Sequence, residues 1–412
     1  MAKGKKVKKQ KLQKTDVKDF EAILQIPERL AQLLRLLFHL SKPEWDFCVA
    51  KIRQKEAYRE WRESKGPGKG FRQFGAPCAE LKLVQKRILQ NFLANVTAHF
   101  IRHGNQPGSS MMTNVQHHAG FAKAVFGIDL VNAFPSVFRS RIRGNLRVPL
   151  ERKISEFGEE VNKSLSDEDK KIMLEAVVDF LCLHDRLPQG PPTSPRVLDI
   201  VCFALDRSLA GIAAKHSTPF QQYRLTAYAD NFTLSSNDEI PEEVKTEVLE
   251  EIKKHGFIAH TRPDKTEYYS PFTGKVPVVT GIVLPTTADG HMTMAPRKVN
   301  QLRARLHQYA EKSTCTDEER GVVMGTIGYI RQVYPKKVPS KLRALVEQIE
   351  TRARIERLPA PAVPIEAVPK KVGTDIDLSV IPSADTAKPK RKKPTPKKSK
   401  LTKDYCGESL PF

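Results

Sequence analysis

Two short apolar runs, residues 225–229 and 232–234, flank the polar pair Asp230 and Asn231. The pattern predicts a tight β-hairpin with a carboxylate at its tip. Asp-Asn is also an ordinary turn pair, so this stretch alone does not point to chemistry. A second apolar run, 124–130, predicts a strand that carries Asp129. A charge in an apolar strand calls for a partner or a metal. Between the two lies Leu187-Pro188-Gln189-Gly190-Pro191-Pro192-Thr193-Ser194-Pro195, a rigid turn leading into a helix over 196–215. Other helices follow from 3.6-residue periodicity. One covers most of 18–40, with Leu30, Leu33, Leu34 and Leu37 on one face, and a second runs from the turn at Pro43 to Trp61. Further helices are predicted over 81–93, over 166–183 with Ser166 as N-cap, and over 242–255. A strand is expected near Phe257, and 276–284 reads as one β-branched strand. Three helices close the pattern: one opened by Pro296, one by the capping pair Thr316 and Glu319, and one capped by Ser340.

Length and charge narrow the class. The 412 residues suffice for two or three packed units, and no run of eighteen apolar residues suggests a membrane span. The Lys-rich start lacks the apolar core of a secretory signal. Six cysteines without CxxC spacing read as reduced thiols of a cytoplasmic protein. Net charge is +22, but residues 1–14 hold seven Lys and 388–403 hold nine Lys or Arg, with no acid in either stretch. Removing these sixteen charges leaves +6, so the tails are basic arms suited to a polyanion. From residue 358 onward Pro, Ala, Lys and Ser predict disorder.

Two carboxylates from separate strands can hold two Mg²⁺ ions about 3.5–4 Å apart and support in-line phosphoryl transfer. Residues 65–74 read as a basic, glycine-rich hairpin that carries Lys69 and Arg72. In this order the elements resemble the palm of a reverse transcriptase. Asp129 with Phe134 five residues on is similar to its motif A, Gln189-Gly190 to motif B, and Tyr228-Ala229-Asp230-Asn231 to motif C. Two further signatures resemble the bacterial retron type: Asn114-Val115-Gln116-His117-His118 before motif A, and Val279-Thr280-Gly281 after Lys265. The resemblance covers about residues 55–350.

The resemblance implies an α+β right-hand fold. Its parts would be a basic arm (1–17), N-terminal helices and fingers (18–122), a palm (123–290, with a helical insertion at 150–185), a helical thumb (291–357) and a basic tail (358–412). It implies metal binding by Asp129, Asp230 and the carbonyl of Leu130, with two Mg²⁺ ions or Mn²⁺ in their place. Asn231 would stand beside them, and Lys265 would protonate the leaving pyrophosphate. Lys69, Arg72, Phe134, Gln189 and Gly190 would bind the dNTP. Asn114, His118, Val279, Thr280 and Gly281 would contact RNA. The implied partners are a cognate structured non-coding RNA, the single-stranded DNA copied from it, and a separate effector protein in anti-phage defence. The family has a second Asp where this chain has Asn231. That departure keeps open a catalytically weakened, RNA-binding scaffold as the alternative, beside an active reverse transcriptase of another bacterial lineage.

Overall fold

The computed structural model describes residues 10–11, 17–65, 70–106, 108–262, 266–285, 291–312, 314–336 and 338–355. The chain divides into one unit ending at Arg352 and another beginning at Ala353. The elements that build the site belong to the first.

A two-residue strand, β1 (Gln10–Lys11), precedes a short 3-10 turn and the helices α1 (Glu21–Gln25), α2 (Glu28–Phe38) and α3 (Lys42–Arg53). Ser41 opens α3 through a capping box with Glu44. The helix expected to reach Trp61 stops at Arg53, and Lys55 turns the chain with a φ of 59°. Beyond it, β2 (Tyr58–Ser64) places Tyr58 and Glu60 inward and Arg59 outward. That alternation has period two, which suits a strand and not a helix. It pairs antiparallel with β3 (Phe71–Pro77), so the basic hairpin forms, although Lys69 lies outside the described residues. Next come α4 (Ala79–Asn91) and α5 (Met111–Gln116).

The strand β4 (Ala124–Asp129) leads to three helices, α6 (Arg139–Ser155), α7 (Glu159–Ser164) and α8 (Asp167–Leu181). These helices begin eleven residues before the insertion expected at 150. The helix predicted over 196–215 is two, α9 (Ser194–Val201) and α10 (Phe203–His216), interrupted at Cys202. The hairpin of β5 (Tyr223–Tyr228) and β6 (Asn231–Ser236) follows, then α11 (Glu242–Lys254) and β7 (Glu267–Tyr269). No strand forms at Phe257; only Ala259 makes a single bridge, to Leu130. The segment read as one strand over 276–284 is a small hairpin, β8 (Val278–Val279) and β9 (Ile282–Val283), joined at Thr280 and Gly281 with φ of 48° and 82°. Both φ values positive is the geometry of a two-residue hairpin turn. It pairs with β10 (Thr293–Met294), and the helices α12 (Pro296–Ala310), α13 (Asp317–Val333) and α14 (Ser340–Ile355) follow.

Four antiparallel strands in the order β5-β6-β4-β7 form one sheet. Side chains alternate between its faces. Phe126, Ile128, Phe232 and Leu234 face one core, shared with helices α1–α4, α6 and α8–α11. Val125, on the opposite parity of β4, belongs to a second core with Met112, Tyr269 and helices α12–α14. Asp129 shares that parity, as do its cross-strand partner Asn231 and, further along β6, Thr233 and Ser235. The period of two therefore puts the carboxylate on the polar face, away from the larger core.

Candidate active site

Strand pairing brings the two carboxylates together. Asp129 ends β4 opposite Asn231, and Leu130 donates its backbone N–H to the carbonyl of Asp230 at 3.2 Å. His260 donates its backbone N–H to the Asp129 carbonyl at 2.8 Å, so the end of β4 is held on both flanks. The hairpin turn is Ala229-Asp230 and not the expected Asp230-Asn231, because Asn231 already pairs with Tyr228 as the first residue of β6. Ala229 takes a φ of 54°, which costs a residue with a Cβ about 1 kcal/mol or more. The Asn231 side-chain amide donates to the Asp230 carboxylate at 3.3 Å. A second Asp there could only accept, so Asn231 supplies a neutral donor in place of a like charge.

A cleft of about 690 Å³ opens over this floor. Asp129, Leu130, Asp230 and Asn231 line one side, and Arg72, Phe134 and Gln189 line the others. Asp129 is only 7% exposed, whereas Arg72 is exposed. Phe134 is half-buried: its ring packs on the larger core and also borders the cleft. Gln189 is placed by its carbonyl, which accepts from the N–H of Gly75 at 2.8 Å. Gly190 has a φ of 130°, and a Cβ there would lie 2.5 Å from the Gly75 carbonyl oxygen. Gly190 thus lets the turn close on strand β3 and sets the position of Gln189 at the cleft.

Three cationic or ionisable side chains in the cleft were not anticipated from the sequence: Lys65, His260 and Arg262. Lys65 stands at the foot of the glycine-rich hairpin, with its N–H donating to Gly70 at 2.9 Å. Its ammonium donates to Asn132 Oδ1 at 3.0 Å, linking the β2–β3 hairpin to the turn after β4. Its position seven residues before Arg72, on the same hairpin, was the available signal. Lys265 lies outside the described residues.

Val279, Thr280 and Gly281 border an adjoining pocket of about 390 Å³ that Asp129, Tyr228 and Asn231 also line. Asn114 and His118 do not reach a surface: they are 1% and 0% exposed. The two ring nitrogens of His118 bond the hydroxyls of Ser235 and Thr226, each at 2.7 Å, one as donor and one as acceptor. Burial, reinforced by the neighbouring His117, pushes the His118 imidazole down to about 3. The expectation that both residues contact RNA is therefore corrected. His118 satisfies the polar face of the four-stranded sheet, and Asn114 sits inside the fold.

No protein-family model matches the chain. Among curated proteins it is 30% identical over 275 residues to the retron Mx65 reverse transcriptase of Myxococcus xanthus, over 65% of this chain and 60% of that one. It is 29% identical over 337 residues to the retron Mx162 reverse transcriptase of the same organism, over 78% of this chain and 66% of that one. The chain is thus similar in sequence to retron reverse transcriptases. The Ec86 member from Escherichia coli is 27% identical over 262 residues, which is 72% of its length. The chain thus spans somewhat less than two thirds of the Mx65 and Mx162 retron reverse transcriptases. Among solved structures, telomerase from Candida albicans in complex with a fragment of telomeric RNA aligns over 68% of this chain and 53% of its own, at TM-score 0.36 and 12% identity. That likeness is too slight to bear on function.

The donor set fits a hard divalent cation. Asp129 and Asp230 offer carboxylate oxygens and Leu130 a backbone carbonyl, the ligand class preferred by Mg²⁺ and Mn²⁺. Among the described residues, no group of three His, Cys, Asp or Glu side chains has metal-holding geometry. The candidate donor set in the cleft therefore comprises two carboxylates, Asp129 and Asp230.

Proposed function

We propose that the chain is an RNA-directed DNA polymerase that copies a cognate structured RNA into single-stranded DNA. The observation that carries this reading is the meeting of Asp129 and Asp230 on the floor of a cleft with Arg72 and Lys65 among its lining residues. Divalent cations held by Asp129, Asp230 and the Leu130 carbonyl would supply charge neutralisation and activation of the attacking oxygen. The chain's own residues do the positioning. Arg72 presents a planar fork to the triphosphate, and Lys65 leaves Asn132 to join it. Phe134 lies under the sugar and excludes a 2′-hydroxyl. Gln189 fixes the nucleotide from the side. The primer hydroxyl attacks the α-phosphorus and gives its proton to water, the bond from the α-phosphorus to pyrophosphate breaks, and Lys265 would protonate the leaving pyrophosphate.

The reading extends to a fingers region over 18–122, a palm over 123–290 and a thumb over 291–357. Val279, Thr280 and Gly281 would contact RNA beside the carboxylates. By family resemblance, synthesis starts from the 2′-hydroxyl of a guanosine in the partner RNA, and the system serves anti-phage defence with an effector protein. One observation favours the second reading, a scaffold with weakened chemistry: Asn231 stands where a third carboxylate would. Sequencing the nucleic acid that co-purifies with the chain distinguishes the two. The polymerase reading expects a defined RNA joined to DNA complementary to part of it. RNA alone favours the scaffold.

A further inference from the structure

Behind the hairpin tip lies a buried ionic cluster that the proposed reaction does not use. Arg102 is fully buried, as are Asp199 on α9 and Asp206 on α10. Its Nε and Nη2 donate to the two oxygens of Asp206, at 2.7 and 2.6 Å. Its Nη1 donates to Asp199 at 3.3 Å and to the backbone carbonyl of Ala229 at 2.6 Å. The guanidinium also lies 5.1 Å from the ring centre of Phe232, on the far strand of the same hairpin. The backbone around Arg102 runs beside β5. Ala227 donates to Ile101, and His103 donates to Ala227, each at 2.8 Å. A Cβ on Gly104 would stand 3.2 Å from the Ala229 nitrogen.

Ala229 precedes the carboxylate that the polymerase reading requires, and its positive φ persists only where its surroundings over-determine it. Buried ion pairs add little net stability, because desolvation cancels most of their attraction. What this cluster adds is direction: one arm of Arg102 is spent on the carbonyl of the turn, while the other two are fixed by Asp206. We infer that Arg102, locked by Asp199 and Asp206, is a positioning residue that holds the Ala229-Asp230 turn in its metal-binding conformation. The inference rests on the reading of Asp230 as a metal ligand.

The test is Mn²⁺ binding followed by electron paramagnetic resonance, with RNA-templated DNA synthesis measured in parallel. Arg102→Lys keeps the charge between the two aspartates but cannot reach Asp206 and Ala229 together. The folded variant should bind Mn²⁺ about tenfold more weakly, the scale of one lost charge-assisted hydrogen bond. In an Asp230→Ala background, Arg102→Lys should produce no further weakening. Wild-type Mn²⁺ affinity in folded Arg102→Lys overturns the inference, and so does an equal loss with Asp230 already removed. If Arg102→Lys does not fold, Asp199→Asn, which spares the Asp206 pair, should fold and weaken Mn²⁺ binding less. Unfolding of both variants overturns the positioning role in favour of a structural one. Wild type that binds Mn²⁺ through Asp230 yet copies no RNA contradicts the polymerase reading and leaves this inference standing.

Discussion

The amide of Asn231 rests against the carboxylate of Asp230, and the electrostatics of the turn follow from that contact. Asn231→Asp removes the donor and adds a charge near the proposed metal ligands. At a solvated site a charge about 4 Å away contributes on the order of 1 kcal/mol. Half-maximal DNA synthesis should therefore need about fivefold less Mg²⁺ in the variant, and the wild type should gain more from Mn²⁺. A metal titration of initial rates reads both. Phe134 has two faces, one on the core and one on the cleft. Phe134→Ala should raise ribonucleotide incorporation in primer extension; unchanged discrimination in an active variant would make Phe134 a packing residue only. His118 is neutral in the folded protein because burial holds it near 3, whereas its unfolded value is about 6.5. The unfolded chain therefore binds the extra proton, and stability is present above pH 6.5 and lost as pH falls towards 3. His103, His117 and Arg224 face the same imidazole and oppose its charging. Comparing urea midpoints of wild type and His118→Gln isolates this one group. The variant should lose less stability between pH 7 and pH 4, by at most about 3 kcal/mol.

At the scale of elements, the turns carry the most specific constraints. Gly190→Ala would push a Cβ into the Gly75 carbonyl at a φ that side chains avoid. We expect a loss on the order of 1–3 kcal/mol, visible in the thermal midpoint, together with a higher KM for dNTP as Gln189 shifts. A wild-type KM would disconnect this turn from the nucleotide. The parts of the site that were legible in the sequence are those written in local periodicity. Asp129 and Asp230 each interrupt an apolar strand, and Ser166 and Thr316 announce their helices as caps. What escaped depends on pairing across distance. Lys65, His260 and Arg262 reach the cleft from loops whose paths are set by neighbouring strands. The turn at Asp230 was misplaced by one residue because register belongs to the pair β5 and β6 and not to either alone. His118 was read as an RNA contact because its two hydroxyl partners, Thr226 and Ser235, are more than a hundred residues away. Arg102 gave no signal for the same reason: its two aspartates lie on later helices.

For the whole molecule, charge is the organising quantity. No helix among the described residues is long and apolar enough to cross a membrane, and the net charge of +22 is concentrated towards the two ends. Each phosphate neutralised by those arms releases counterions, so removing residues 1–14 and 388–403 should flatten the salt dependence of RNA binding. Preference for the cognate RNA should survive, and its loss would make the arms specific readers. The central claim is that Asp129 and Asp230 form the catalytic floor of an RNA-copying polymerase. The measurement that reaches it most directly is DNA synthesis on a primed RNA template by wild type, Asp129→Ala, Asp230→Ala and Asn231→Asp, with RNA binding followed in the same preparations. The account predicts product from wild type, at least as much from Asn231→Asp at limiting Mg²⁺, and none from either Ala variant although both still bind RNA. Wild-type product from Asp230→Ala, or no product from wild type and Asn231→Asp with either Mg²⁺ or Mn²⁺, would contradict it.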